Sequence, residues 1–333
     1  MDGTLKANLN ENPFNPISEL KDEFLRVLES IEINRYPDQS YRDLKSAIGK
    51  KFGLSYENIA VGNGSDELIL YILLAFRSKG LPVVIPYPTF GMYEKTAFLL
   101  GMRVEKVYLD ENWDLPIESL MKLVSKGAIL FLGYPNNPTA NCWPKEELRS
   151  IIEINPGITV VDEAYHEFSG KTMLDLIFER DNLIILRTFS KAFGMAGARV
   201  GYAISHKRII ERIDEVRLPF NLNLFSEKMA LLMLEKDFWV KEKVAHIVEN
   251  RDWLIENLKG LDFLKVYPSE TNFILCKVLD ERLDLLTFFK ERNIEIRKPD
   301  IDGNYIRISV GKREEVERIW SLLKDLQEKL WLK

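Results

Sequence analysis

The sequence predicts an α/β protein: a mainly parallel sheet with helices on both faces, joined to a smaller α+β domain. Three observations carry this. From about residue 58, short apolar runs alternate with longer segments of helical periodicity. The runs are apolar at successive residues, as in strands buried on both faces. After Leu218-Pro219-Phe220-Asn221 the pattern turns helical and then mixes strands with helices, which marks a separate α+β unit. The expected divisions are an arm and helix over 1–35 packing with the small domain, a large α/β domain over 36–220, and the small domain over 221–333.

In chain order, Leu9 to Pro16 is too rich in asparagine and proline for regular structure. Ser18 reads as a helix start, with Leu20, Phe24, Leu25 and Leu28 on one face. A turn at Asn34 to Asp38 precedes a helix running towards Phe52. Strands are expected at Ile59 to Val61, Val83 to Ile85, Ala128 to Leu132, Ile158 to Val161, Leu183 to Leu186 and Val200 to Ile204. Helices are expected between them, as at Asp66 to Lys79 and at Pro144 to Asn155, where Pro144 suits a first helical position. Helical pattern runs to about Leu258, and late strands are expected at Phe263 to Val266, Phe273 to Val278 and Tyr305 to Val310.

Composition narrows the function. A net charge of −5 argues against a broad nucleic-acid surface. Cys142 and Cys276 are too few for a disulfide framework or a zinc site, and His166, His206 and His246 have no partners at metal-ligand spacing. No metal is expected. Met1 to Asn8 lacks the apolar core of a secretion signal, and no apolar run approaches a membrane span. The expected setting is the cytoplasm, with no membrane partner.

Strand carboxyl ends are where open α/β sheets place ligands. Four of the runs end in polar residues: Gly62-Asn63-Gly64-Ser65-Asp66, Asn136-Asn137-Pro138-Thr139, Asp162-Glu163-Ala164-Tyr165, and Thr188-Phe189-Ser190-Lys191 with Arg199 eight positions on. Lys191 follows a buried run and sits among aromatic and small residues, a setting that suits a nucleophilic amine. Each segment has a plainer reading. Gly62 to Ser65 can be a tight turn with a helix cap, Asn137-Pro138 a simple turn, and Asp162 a cap for the next helix. Asp66 and Glu67 suit a helix N-terminus but repel a phosphate there, so Arg199 is the expected countercharge. One ligand accounts for all four segments. Pyridoxal 5'-phosphate needs a lysine for its aldehyde and a carboxylate for its ring nitrogen. It also needs donors to its ring hydroxyl and an anion site. Lys191, Asp162, Asn137 with Tyr165, and Ser65 with Thr188 and Arg199 supply these in turn.

With these motifs in this order, the chain resembles the fold-type I pyridoxal-phosphate-dependent aminotransferases from Asn10 to Arg307. Within them it looks most like the histidinol-phosphate branch, through Leu9-Asn10-Glu11-Asn12-Pro13, Arg35-Tyr36-Pro37-Asp38, Arg217 to Asn223 and Tyr305 to Gly311. The resemblance implies a seven-stranded sheet and a homodimer. It implies Lys191, Asp162 and Tyr165 as catalytic residues, with Lys191 binding the aldehyde and then shuttling a proton. Gly64, Ser65, Thr188 and Arg199 are implied to hold the phosphate, with Tyr36 reaching in from a second subunit, and Asp66 and Ser190 are implied among the other cofactor-binding residues. Phe90 is implied on the ring face, where many relatives have tyrosine, and Asn137 and Tyr165 at the ring hydroxyl. Asn12, Tyr36, Asn137, Arg297 and Arg307 are implied for substrate. The implied reaction passes an amino group from histidinol phosphate to 2-oxoglutarate, giving glutamate. Ala140 stands where the Asn-Pro-Thr turn usually ends in glycine.

Other readings stay open on the sequence. An aminotransferase for aromatic amino acids and a threonine-phosphate decarboxylase share the fold. A non-catalytic ligand-sensing module fits less well, since lysine, aspartate and arginine are all intact. A Rossmann dehydrogenase is disfavoured because Gly62-Asn63-Gly64-Ser65 lacks a third glycine.

Overall fold

The computed structural model describes residues 3–331. Its strands are β1 (Leu5–Ala7), β2 (Ile59–Asn63), β3 (Val83–Tyr87), β4 (Val104–Tyr108), β5 (Ile129–Gly133), β6 (Ile158–Asp162), β7 (Leu183–Thr188), β8 (Val200–Ser205), β9 (Leu264–Val266), β10 (Phe273–Val278), β11 (Ile294–Ile296) and β12 (Tyr305–Ser309). Seven form one sheet in the order β2-β8-β7-β6-β5-β3-β4. All its neighbours pair in parallel except β8, which runs against both β2 and β7. This is the α/β architecture expected from the sequence.

The six apolar runs are all strands, and each continues one or two residues beyond its apolar part. The backbone ladder does not need apolar side chains, so it carries the polar residues at the strand ends into the sheet. Asp162 is the clearest case: it stands in register with Gly133 on β5 and Leu186 on β7. Side-chain alternation then divides the core between the two faces. Leu130, Leu132, Leu183 and Ile185 join the apolar cluster on one face. Ile129, Phe131, Ile184 and Leu186 join the cluster on the other.

Three strands escaped the sequence reading. The edge strand β4 (Val-Glu-Lys-Val-Tyr) buries only Val107, so it lacks the doubly apolar signature. β1 and β11 are three residues each and exist by pairing with one another in parallel, across nearly the whole chain. That pairing attaches the N-terminal arm to the C-terminal part. There β10 lies between β9 and β12 in an antiparallel sheet, with the helices Asp237–Leu258 and Arg313–Trp331 packed together.

Two helix starts differ from expectation. The first helix begins at Pro16, where the Asn15 side chain accepts from Ile17 N–H, and Lys21–Glu29 follows after a break at Leu20. Asparagine caps as well as serine, and here it stands next to the proline that opens the helix. Pro144 is the residue before the helix Lys145–Ile154 and not its first turn: its ψ of 131° is extended.

A buried ion pair braces the sheet behind the strand ends. Arg187 on β7 and Glu163, just past β6, are 3% and 0% exposed, with Nη2 to Oε2 at 2.7 Å. Arg187 Nε donates to the same oxygen, while Thr172 Oγ1 and Met173 N–H donate to Oε1. Removing one partner strands the other charge in the core. Glu163→Ala is therefore expected to lose about 3–5 kcal/mol in denaturant unfolding, and a loss below about 1 kcal/mol would contradict this account.

Candidate active site

The chemistry-bearing residues gather where β2, β5, β6 and β7 end. Asp162 closes β6 and is 6% exposed. Its Oδ2 accepts from Tyr93 Oη at 2.7 Å and its Oδ1 from Ala164 N–H at 3.0 Å. Burial raises its carboxyl to about 6, with the Tyr93 hydroxyl and the Ala164 amide pulling the other way. No cation is paired with it among the described ion pairs. A buried carboxylate holding only a hydroxyl and an amide fits a protonated ring nitrogen as its missing partner. Tyr93 is itself 1% exposed, stacked on Phe131 with Phe90 against it edge-on. Burial, then the Asp162 charge, holds its phenol well above the usual range.

Lys191 follows β7 and is half-buried, not enclosed as its neighbours suggested. Its Nζ donates to the Leu9 carbonyl at 3.0 Å and lies 5.7 Å from the centre of the Tyr165 ring. Asn12 bonds the next residue, with Nδ2 donating to the Ala192 carbonyl. Tyr165 is buried edge-on against Phe273, and its hydroxyl accepts from Asn10 Nδ2 at 3.0 Å. Asn137 Oδ1 accepts from Arg307 Nη1 at 2.6 Å. Its Nδ2 and the Tyr165 proton remain the groups able to donate to a ring hydroxyl.

The anion end is built by β2, β7 and the turn before β8. Gly64 has φ +79°, and a Cβ there would collide with the Arg199 guanidinium. Gly201 meanwhile lets the Gly64–Ser65 backbone lie directly on β8. Ser65 then opens a 12-residue helix whose first amides are available to an anion. Arg199 Nη1 donates to Ser190 Oγ, and Ser190 N–H donates to Thr188 Oγ1. Asp66 pairs with Arg199 at 3.0 Å, and Glu67 turns away to accept from Asn63 N–H and Asn221 Nδ2. Asp66 thus holds the cation that an anion would share, and this is how an acid fits into this cradle. Together these groups fit pyridoxal phosphate: a lysine, an unpaired buried carboxylate, two ring donors and a glycine-lined cationic cradle.

Arg307 on β12 has Nη2 on the Asn8 carbonyl, lies over the Phe273 ring, and leaves Nε buried without a partner among the described residues. Burial, then the charge of Arg297, holds its guanidinium below the usual range. Arg297 joins Arg307 through two backbone hydrogen bonds of 3.0 and 2.7 Å, while its own side chain is exposed. Tyr36 is the residue the structure does not bring to this site. It is 81% exposed and stacks on Phe220. Sequence reasoning missed Tyr93 and Asn10 as site residues, although Asn10 lies in the Leu9-to-Pro13 segment it had singled out.

A family model described as aminotransferase class I and II matches residues 4–323. A histidinol-phosphate aminotransferase of Pyrococcus furiosus is 39% identical over 322 residues, 96% of this chain and 91% of that protein. One from Thermoanaerobacter sp. is 39% identical over 326 residues, covering 96% and 92%. The solved histidinol-phosphate aminotransferase of Sinorhizobium meliloti, in complex with pyridoxal-5'-phosphate, superposes with a TM-score of 0.89 at 26% identity, covering 98% of this chain and 91% of that one.

The raised carboxyl of Asp162 has a pH signature in the cofactor-free chain. The folded chain keeps this proton up to about pH 6, whereas the unfolded chain releases it near 3.8. Stability should therefore fall as pH rises between these values, by about 3 kcal/mol. Denaturation at pH 4 to 7 checks this. Burial also raises the Glu167 and Glu227 carboxyls, so Asp162→Asn should remove its own share of the loss, and the same slope in both proteins would contradict it.

Proposed function

The chain belongs to the class I and II aminotransferase family, and we propose that it transfers the amino group of L-histidinol phosphate to 2-oxoglutarate. The products are imidazole acetol phosphate and L-glutamate, a step of histidine biosynthesis. The family depends on pyridoxal phosphate. The observation that carries the substrate is the identity of 39% over 96% of the chain with proteins of that name. The joined pair Arg297 and Arg307 supports it, since the substrates carry a carboxylate or a phosphate that a guanidinium fork can grip.

When bound, pyridoxal phosphate supplies an aldehyde that condenses with amines and a ring that withdraws electrons. Lys191 would hold that aldehyde, and its released Nζ would carry the proton to and from the substrate carbon. Asp162 would keep the ring nitrogen protonated, and that cation in turn would settle its buried charge. Asn137 Nδ2 and the Tyr165 hydroxyl would donate to the ring oxygen, with Phe90 against the ring. Gly64, Ser65, Thr188, Ser190 and Arg199 would hold the phosphate, with Asp66 orienting Arg199. Arg307 would bind the carboxylate of glutamate and, with Arg297, the phosphate of the other substrate, while Asn12 and Asn137 line the same space. Amino donor and acceptor would use one site in turn, giving ping-pong kinetics.

The reading includes a homodimer in the cytoplasm, with Tyr36 completing the partner's site and a division near residue 220 between two domains. Support for the dimer is the exposed apolar surface at Ile33 (73%), Tyr36 (81%) and Leu218 (66%), large side chains left to solvent by one chain. Among the described helices none is long and apolar enough to cross a membrane.

Three amine donors tested in half-reactions decide the substrate. Histidinol phosphate should convert the cofactor at least about tenfold faster than phenylalanine or threonine phosphate. A preference for phenylalanine or decarboxylation of threonine phosphate would overturn the assignment. Lys191→Ala should abolish the visible band of the lysine-bound cofactor. Arg297→Ala should slow the reaction with histidinol phosphate and leave phenylalanine turnover unchanged.

A further inference from the structure

We propose that Asn10 is a positioning residue that turns the Tyr165 hydroxyl proton toward the cofactor ring and links that orientation to the strand carrying Arg307. The inference rests on the reading above that Tyr165 faces the ring hydroxyl. Asn10 is 1% exposed and has φ +56°, a backbone state that asparagine and aspartate tolerate better than other side-chain-bearing residues. Every polar group of Asn10 is engaged. Its N–H donates to Ser309 Oγ at 2.8 Å, and its carbonyl accepts from Asn272 Nδ2 at 3.0 Å. Its Oδ1 accepts from the Ser309 hydroxyl at 3.0 Å, and its Nδ2 donates to Tyr165 Oη at 3.0 Å.

These bonds fix which way the amide faces. Ser309 is buried, and Asn10 Oδ1 is the acceptor for its hydroxyl hydrogen among the described hydrogen bonds, so turning the amide over would strand that hydrogen. The amino group is left for Tyr165. A phenol has one hydrogen, and Asn10 fills an acceptor position on its oxygen. The hydrogen is thereby free to be given to the ring oxygen, where Asn137 Nδ2 is the companion donor. The anchors of Asn10 belong to the C-terminal part. Ser309 ends β12, two residues after Arg307, and Asn272 immediately precedes β10. A shift of β12 when Arg307 takes up an anion would reach Tyr165 through Asn10.

Asn10→Asp isolates this role. Aspartate keeps the backbone tolerance and the acceptor for Ser309, but it offers Tyr165 an oxygen in place of a donor. The phenol then gives its hydrogen to residue 10. The readout is the pH midpoint of the visible band in the cofactor-loaded protein, for wild type, Asn10→Asp, Tyr165→Phe and the double variant. A lost donor disfavours the form in which the ring oxygen carries more negative charge. Each single variant should therefore raise the midpoint by about one pH unit. The double variant should go no further than Tyr165→Phe alone. Ser309→Ala, which leaves Asn10 in place but unlocks its amide, should move the midpoint the same way by less. In the cofactor-free chain, the same four proteins should show a non-zero coupling in denaturant unfolding.

An equal Asn10→Asp shift with and without the Tyr165 hydroxyl would reveal a charge effect alone and overturn the proposal. So would a band unmoved by Asn10→Asp while Tyr165→Phe shifts it, or zero coupling in the cofactor-free cycle. A band unmoved by Tyr165→Phe would remove the placement of Tyr165 on the ring, and the inference with it.

Discussion

The buried carboxylate of Asp162 is the constraint on which the rest of the site depends. Two acids stand side by side at the end of β6, and the fold treats them in opposite ways. Glu163 receives a guanidinium, a hydroxyl and a backbone amide, so its charge is matched inside the protein. Asp162 receives, among the described residues, only a hydroxyl and an amide, and burial holds its proton to about pH 6. Adjacent strand-end residues point to opposite faces, which puts one acid into the brace of the sheet and the other into the site. A matched charge contributes to structure. An unmatched one is unstable until a cation arrives, and that instability is what makes it useful to a ligand with a ring N–H.

The second constraint is the path of the N-terminal arm. Three consecutive residues each touch one functional side chain: Asn8 carbonyl with Arg307, Leu9 carbonyl with Lys191, and Asn10 with Tyr165. The chain bends at Asn8 and Leu9 directly after β1, and the bend turns groups of successive residues toward the site. The parallel pairing of Leu5–Ala7 with Ile294–Ile296 fixes where the segment starts, and the Asn10 turn fixes where it leaves. The arm thereby joins parts of the chain that the seven-stranded sheet does not connect.

Legibility in the sequence followed the range of the interaction. Strands buried on both faces advertise themselves by local composition, so β2, β3, β5, β6, β7 and β8 could be read directly. Their polar endings then marked Lys191, Asp162, Asn137 and Arg199 as a group. What was missed depends on partners far away in the chain. Tyr93 sits on a short helix and meets Asp162 across 69 positions, and Asn10 meets Ser309 across 299. Neither has a local signal, since a buried tyrosine and a loop asparagine are common. The exposed Tyr36 illustrates the opposite limit: its expected role needs a second chain, and among the described residues its ring stacks on Phe220.

Ala140 shows why a departure from a familiar turn can be harmless. It has φ +66° and is fully buried. A left-handed alanine costs about 1–2 kcal/mol relative to the right-handed state. Against that, its buried methyl contributes about 0.8 kcal/mol, and alanine loses about 0.4–1 kcal/mol less chain entropy on folding than glycine. The two sides nearly cancel. What holds the conformation is the backbone: Ala140 N–H donates to the Asn136 carbonyl at 2.9 Å, and its own carbonyl accepts from Glu270 N–H at 2.8 Å. The second bond reaches from the turn bearing Asn137 to the segment just before β10. The conformation at 140 is therefore demanded from both sides of the site, and the residue need only tolerate it.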